Sequence, residues 1–148
     1  MAFHFPLQAV LHYRESLEHQ QELRLRAANQ QMARVRHLID QMDVHRQQLH
    51  SIQSRELTSG TTAAELRFGL LCDAELVRHR QALEQQLLLI EKGRDQQREI
   101  FQQARRARET LEGVRDQQFR VYKKESARRQ QRSLDELFLL RREYLRNS

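Results

Sequence analysis

The chain is expected to be all-α: a long antiparallel two-helix coiled-coil hairpin whose second helix runs past its partner as a C-terminal overhang. Three observations predict this. Pro6 is the single proline, and Gln, Arg, Glu, Leu and Ala, all good helix formers, dominate everywhere else. Apolar residues recur at alternating spacings of three and four, the signature of a coiled-coil seam. That pattern is interrupted once, at Leu57-Thr58-Ser59-Gly60-Thr61-Thr62.

The first helix is expected over about residues 6–57. Its seam runs through Leu25, Ala28, Met32, Val35, Ile39 and Met42, then a polar Arg46, then Leu49. Upstream, Leu7, Val10, Leu11, Tyr13 and Leu17 form a second apolar stretch, separated from the first by Glu18 and Gln21, where weaker pairing is expected. The turn is placed over 58–62. Gly60 can adopt positive φ, and Thr62-Ala63-Ala64-Glu65 fits a Thr-x-x-Glu capping box that starts the next helix.

The second helix is expected over about 63–145, completing one hairpin over 1–148. Its seam takes in Leu66, Gly69, Asp73, Leu76, Arg80, Leu83, Leu87, Ile90, Arg94, Gln97, Phe101, Ala104, Arg108 and Leu111. Many of these are polar, and a weak seam favours closure across a short turn over free association, so a monomer is expected. Gly69, Gly93 and Gly113 lie inside this helix and mark candidate bends or close helix contacts. At 1.5 Å per residue the arms would span roughly 75 and 120 Å, which sets the N-terminus opposite about residue 115. The segment from Phe119 to Ser148 is then left without a partner. Leu134, Leu137, Phe138, Arg141, Tyr144 and Leu145 keep helical spacing there, forming a basic amphipathic helix suited to docking.

Composition sets further bounds. With 39% hydrophobic residues and a mean hydropathy of -0.86, the chain has too little apolar surface for a compact core of its length. A single cysteine, Cys72, excludes an internal disulfide, and no secretory signal pattern is visible, so a cytosolic location is expected. The longest apolar runs are short pieces such as Leu87-Leu88-Leu89-Ile90, so membrane association is expected only through a partner. Residues 92–148 hold 16 Lys plus Arg against 9 Asp plus Glu, whereas residues 1–91 hold 10 against 11. The whole formal charge of +6 thus resides in the distal second arm, a surface suited to an acidic protein or a nucleic acid.

Catalytic motifs are missing. The four glycines are isolated, so there is no phosphate loop, and neither a Gly-x-Ser-x-Gly elbow nor a Cys-x-x-Cys occurs. Histidines at 4, 12, 19, 37, 45, 50 and 79 form no His-x-x-x-His pair, and the Glu-x-x-His element of di-iron bundles is absent. Neither enzyme activity nor a cofactor or metal is expected, and Cys72 reads as a small residue near the seam. The clusters Arg105-Arg106-Arg108, Lys123-Lys124, Arg128-Arg129-Arg132 and Arg141-Arg142 admit two readings. They are a solvated face paired with Glu109, Glu112, Asp116 and Glu125, or a docking surface. Aromatic residues that would stack on bases are sparse, which disfavours direct nucleic-acid binding.

The opening Phe3-His4-Phe5-Pro6-Leu7-Gln8-Ala9-Val10-Leu11-His12-Tyr13-Arg14 resembles the Phe-x-Phe-x-Leu-x-x-Val-Leu-x-x-Arg start of the flagellar export protein family FliJ. Leu38-Ile39-Asp40 and Leu134-Asp135-Glu136-Leu137-Phe138 fall where that family has similar segments. The resemblance implies a non-catalytic component of the flagellar type III export apparatus, similar to the stalk subunit of rotary ATPases. Its paired termini would dock in the hexameric export ATPase and promote its assembly. It would also link the ATPase to the cytoplasmic part of the membrane export gate, at the flagellar base, and escort export chaperones. ATPase contact is then expected at Arg14, Arg24, Arg26, Arg128, Arg132 and Arg141. By position, the family's gate-binding surface maps onto Leu38, Gln41, His45, Phe68, Cys72 and His79. Gln41 and His45 stand where family members carry aromatic residues, and Cys72 where a larger apolar residue is common, so Phe68 and Leu38 are the better anchors. Alternative readings are an injectisome stalk of the same fold, a basic coiled-coil nucleic-acid binder, and a scaffold that dimerises through its seams.

Overall fold

The computed structural model describes residues 2–148. It is all-α among the described residues, with α1 over Gln8–Ser59 and α2 over Ala63–Asn147 packed against each other as a helical hairpin. The fold divides into two compact units, one formed by His19–Gln102 and the other by the segment up to Glu18 with Gln103–Ser148.

In the His19–Gln102 unit the expected seams meet. Val35, Ile39 and Leu83 are buried together, with Met42, Leu87 and Ile90 packed around them. Several polar seam positions find partners across the interface, whereas Arg94 pairs with Asp95 beside it on α2. Arg46 donates to Asp73 at 2.8 Å, and His50 pairs with the same carboxylate at 2.9 Å. Arg80 reaches Asp43 across the interface at 2.6 Å and Glu84 on its own helix at 2.5 Å, while Gln97 donates its amide to Gln21 on α1 at 2.7 Å. Each such pair satisfies groups that would otherwise be costly to shield from water.

At the turn, Gly60 has φ +96°. The capping box forms reciprocally, the Glu65 backbone N–H donating to Thr62 Oγ1 at 3.3 Å and the Thr62 N–H to Glu65 Oε2 at 3.2 Å. Gly69 is a close contact, since a Cβ there would clash with the Gln53 side-chain amide, whereas Gly93 and Gly113 face open space.

In the other unit, Leu11 is fully buried and Phe5 is 4% exposed. Phe3 lies against Phe119 and Tyr122, with ring centroids 5.2 and 5.5 Å away, and the Lys123 ammonium sits over the Phe119 ring at 4.8 Å. Pairing therefore reaches Tyr122 rather than stopping at about residue 115. Residues 2–7 are not helical, and non-helical chain can advance up to about 3.3 Å per residue against 1.5 Å in a helix. The polar stretch expected to pair weakly is also engaged: Glu18 accepts two hydrogen bonds from Arg108, whose Nη1 also reaches Glu112 at 2.6 Å.

Candidate partner-docking surfaces

Among the described residues no group of His, Cys, Asp or Glu is placed to hold a metal ion, and no helix is long and apolar enough to cross a membrane.

One surface lies in the His19–Gln102 unit, where α1 and α2 leave a flank groove of about 910 Å³. Met42, Leu49 and Leu76 come from the seam, and Ile52, Cys72 and Ala82 stand beside it, so the floor is apolar. His45 and His79 lie on its two sides, one from each helix. An adjoining recess of about 500 Å³ shares Leu49 and Ile52 and adds Phe68 beside Gly69. Of the six expected gate residues, His45, Cys72 and His79 thus line the groove and Phe68 the recess. Leu38 and Gln41 lie outside both; Leu38 is exposed, and the Gln41 amide pairs with His37 at 3.2 Å. Sequence reasoning missed Ile52 and Ala82. Their signal is an apolar residue one step off the seam on each arm.

Next to this groove, hydrogen bonds across the interface favour the charged forms of Asp73 and Arg80. The Arg46 hydrogen bond holds the Asp73 carboxyl below its ordinary range, with His50 acting in the same direction against partial desolvation. The Asp43 hydrogen bond likewise raises the Arg80 guanidinium. In the other unit the Glu18 hydrogen bond raises Arg108.

A second surface is the distal part of α2. From Ala127 to Ser148 every residue is exposed. Leu134, Leu137, Phe138, Leu140, Tyr144 and Leu145 show 62–74% of their surfaces to solvent. Such a concentration of exposed large apolar side chains marks an interaction surface. Residues 123–148 carry eight Lys plus Arg (Lys123, Lys124, Arg128, Arg129, Arg132, Arg141, Arg142, Arg146) against Glu125, Asp135, Glu136 and Glu143, a net charge of +4. Arg128, Arg132 and Arg141 have no ion-pair partner among the described residues, whereas Arg129 approaches Glu125 at 3.8 Å.

The expected first-arm arginines divide between the units. Arg14 lies in the same unit as the distal helix, and Arg24 and Arg26 lie in the other, where Arg26 is held by Glu22 at 2.7 Å.

Comparison with curated proteins gives no match, and comparison with solved structures gives none. The model of one family, described as flagellar FliJ protein, matches residues 3–147, taking in the N-terminal aromatic segment, both helices and the exposed distal end. The chain belongs to the flagellar FliJ protein family.

Proposed function

We propose that this chain is a non-catalytic stalk of the flagellar type III export apparatus. It docks in the export ATPase hexamer through its paired basic end and promotes assembly of the ring. It links the ring to the cytoplasmic part of the membrane export gate through the groove near the turn, and it escorts export chaperones. Its place is then the cytoplasmic side of the membrane at the flagellar base. Family membership supports a role in flagellar export. The observation that carries the docking step is the distal end of α2, exposed throughout from Ala127 and charged +4 over residues 123–148. Long-range attraction by such a surface accelerates encounter with an acidic lumen, and burial of its leucines holds the complex once formed. Arg14, Arg24, Arg26, Arg128, Arg132 and Arg141 are assigned to this contact. Leu38, Gln41, His45, Phe68, Cys72 and His79 are assigned to the gate, with the groove-lining members as its centre.

The test measures ATP hydrolysis and hexamer formation by the cognate export ATPase with the full chain and with a chain ending at Arg128. Stimulation that disappears on truncation supports the stalk mechanism. Absence of binding and of stimulation by the full chain refutes it.

A further inference from the structure

The apolar face of the distal helix is not a continuation of the seam that α2 uses against α1. That seam runs with alternating steps of four and three from Gly69 to Leu111, and every one of its positions is buried or partly buried. Extended at the same spacing, it passes through Tyr122, its last partly buried position, and then through Glu125, Arg129, Arg132, Glu136, Leu139, Glu143 and Arg146, all exposed and all charged except Leu139. At 100° per residue, Leu134, Leu137, Phe138, Tyr144 and Leu145 cluster about 160° away from that line, on the other side of the helix. Arg141 falls in the middle of this stripe, and Arg128 and Arg132 fall on the opposite side.

This arrangement selects among occupants. A second copy presenting its own seam would have to match a phase this stripe does not share, and two basic distal helices repel each other. A bilayer would receive Arg141 at the centre of the inserted face, which is costly, and would meet Asp135, Glu136 and Glu143 among the polar groups. A protein groove with an apolar floor and one carboxylate accommodates both the leucines and the guanidinium.

We propose that Leu134, Leu137, Phe138, Tyr144 and Leu145 around Arg141 form a docking face for an apolar groove on an acidic protein, which sets a carboxylate against Arg141. Of the arginines assigned to the ATPase contact, Arg128 and Arg132 lie on the reverse side and act in it through long-range attraction. This rests on the docking reading above and deepens it, the ATPase ring supplying the groove.

Two measurements separate the two ideas. The first uses the full chain and a synthetic acidic helical peptide, with leucine along its seam, one central seam glutamate and glutamates on its flanks, followed by fluorescence anisotropy. Leu137→Ser with Phe138→Ser, and separately Arg141→Gln, are expected to weaken binding at least about tenfold, as hot-spot truncations do. Arg128→Gln with Arg132→Gln is expected to cost no more than about threefold at raised salt. Unchanged helicity by circular dichroism shows that the variants remain folded, since all five positions are exposed. Equal loss in both sets, or no peptide binding by the wild-type chain, overturns the proposal. So does binding to phosphatidylglycerol vesicles, or self-association in sedimentation equilibrium, that the stripe substitutions abolish. The second measurement repeats the series with the cognate ATPase hexamer. Peptide binding without ring binding leaves the stripe standing and sinks the docking reading. Ring binding indifferent to the stripe variants overturns the stripe and leaves the docking reading intact.

Discussion

Replacing Leu83 by alanine removes the centre of the only three-residue buried cluster among the described residues. Leu83 is 8% exposed and packs on Val35 and Ile39 of α1, with Met42, Leu87 and Ile90 around it. Leucine-to-alanine changes in closed cores cost about 2–5 kcal/mol, combining lost transfer energy with a residual cavity. Here the site lies between two helices whose flanks are open to solvent, so water and neighbouring side chains can fill the space. The cost should therefore fall at the low end, about 2–3 kcal/mol. At about 2–4 °C per kcal/mol for a chain of this size, Tm should drop by roughly 5–10 °C. Leu88→Ala is the internal control: the same chemistry next door, but 65% exposed, with an expected effect within about 0.5 kcal/mol. Thermal and urea unfolding followed by helical circular dichroism give both values. Hydrogen exchange across residues 76–90 should show protection falling for Leu83→Ala alone. A Leu83→Ala loss below about 1 kcal/mol, or one equal to that of Leu88→Ala, would refute the reading that this seam carries the stability of the unit.

Further expectations concern the polar layers and the glycines. Glu18→Gln and Arg108→Gln should each cost about 1–2 kcal/mol, and the double variant should cost less than the sum because the two groups share one contact; strict additivity in urea titrations would show that they do not act together. The folded-state pKa of Asp73 is lowered, so its contribution is present above the unfolded value of about 3.9 and is lost as pH falls below that toward the folded value. Asp73→Asn should flatten the acid limb of a Tm-versus-pH curve, and an unchanged limb would count against the Arg46 and His50 layer. Gly93→Ala and Gly113→Ala, with nothing within 4 Å of the added Cβ, should each stabilise by about 0.5–1 kcal/mol. Gly60→Ala, at φ +96°, should destabilise by about 1 kcal/mol, and calorimetry that gave all three the same sign would contradict the assigned backbone.

Much of the fold was legible in the chain because its determinants are local. Helix propensity, the Gly60 turn and the Thr62–Glu65 capping box involve residues within four positions of one another, and each appears in the structure with the expected partners. The α2 seam was equally readable, because a period of three and four residues places its members on one side of a helix whatever the partner is. Leu66, at 37% exposure, is its one member left open, close to the turn. The exposed distal end of α2 and the flank groove were legible in part. Exposure of the distal leucines followed from unequal arm lengths, but the groove needed two flanks at once, so the off-seam apolar positions Ile52 and Ala82 gained a role only once α1 and α2 were paired.

By itself, then, the sequence determined that there are two helices, where they turn, which side of each is apolar, and that the positive charge gathers at the distal end. Tertiary structure decided which polar residue meets which: Glu18 with Arg108, Gln21 with Gln97, Asp43 with Arg80, and Arg46 with Asp73. It also decided that the aromatic N-terminal segment extends pairing to Tyr122. Propensity and periodicity act over a few residues along one helix. Partner choice depends on the register between segments up to 119 positions apart in the chain (Phe3 to Tyr122), and on how far a non-helical segment reaches, and no single-helix pattern encodes either.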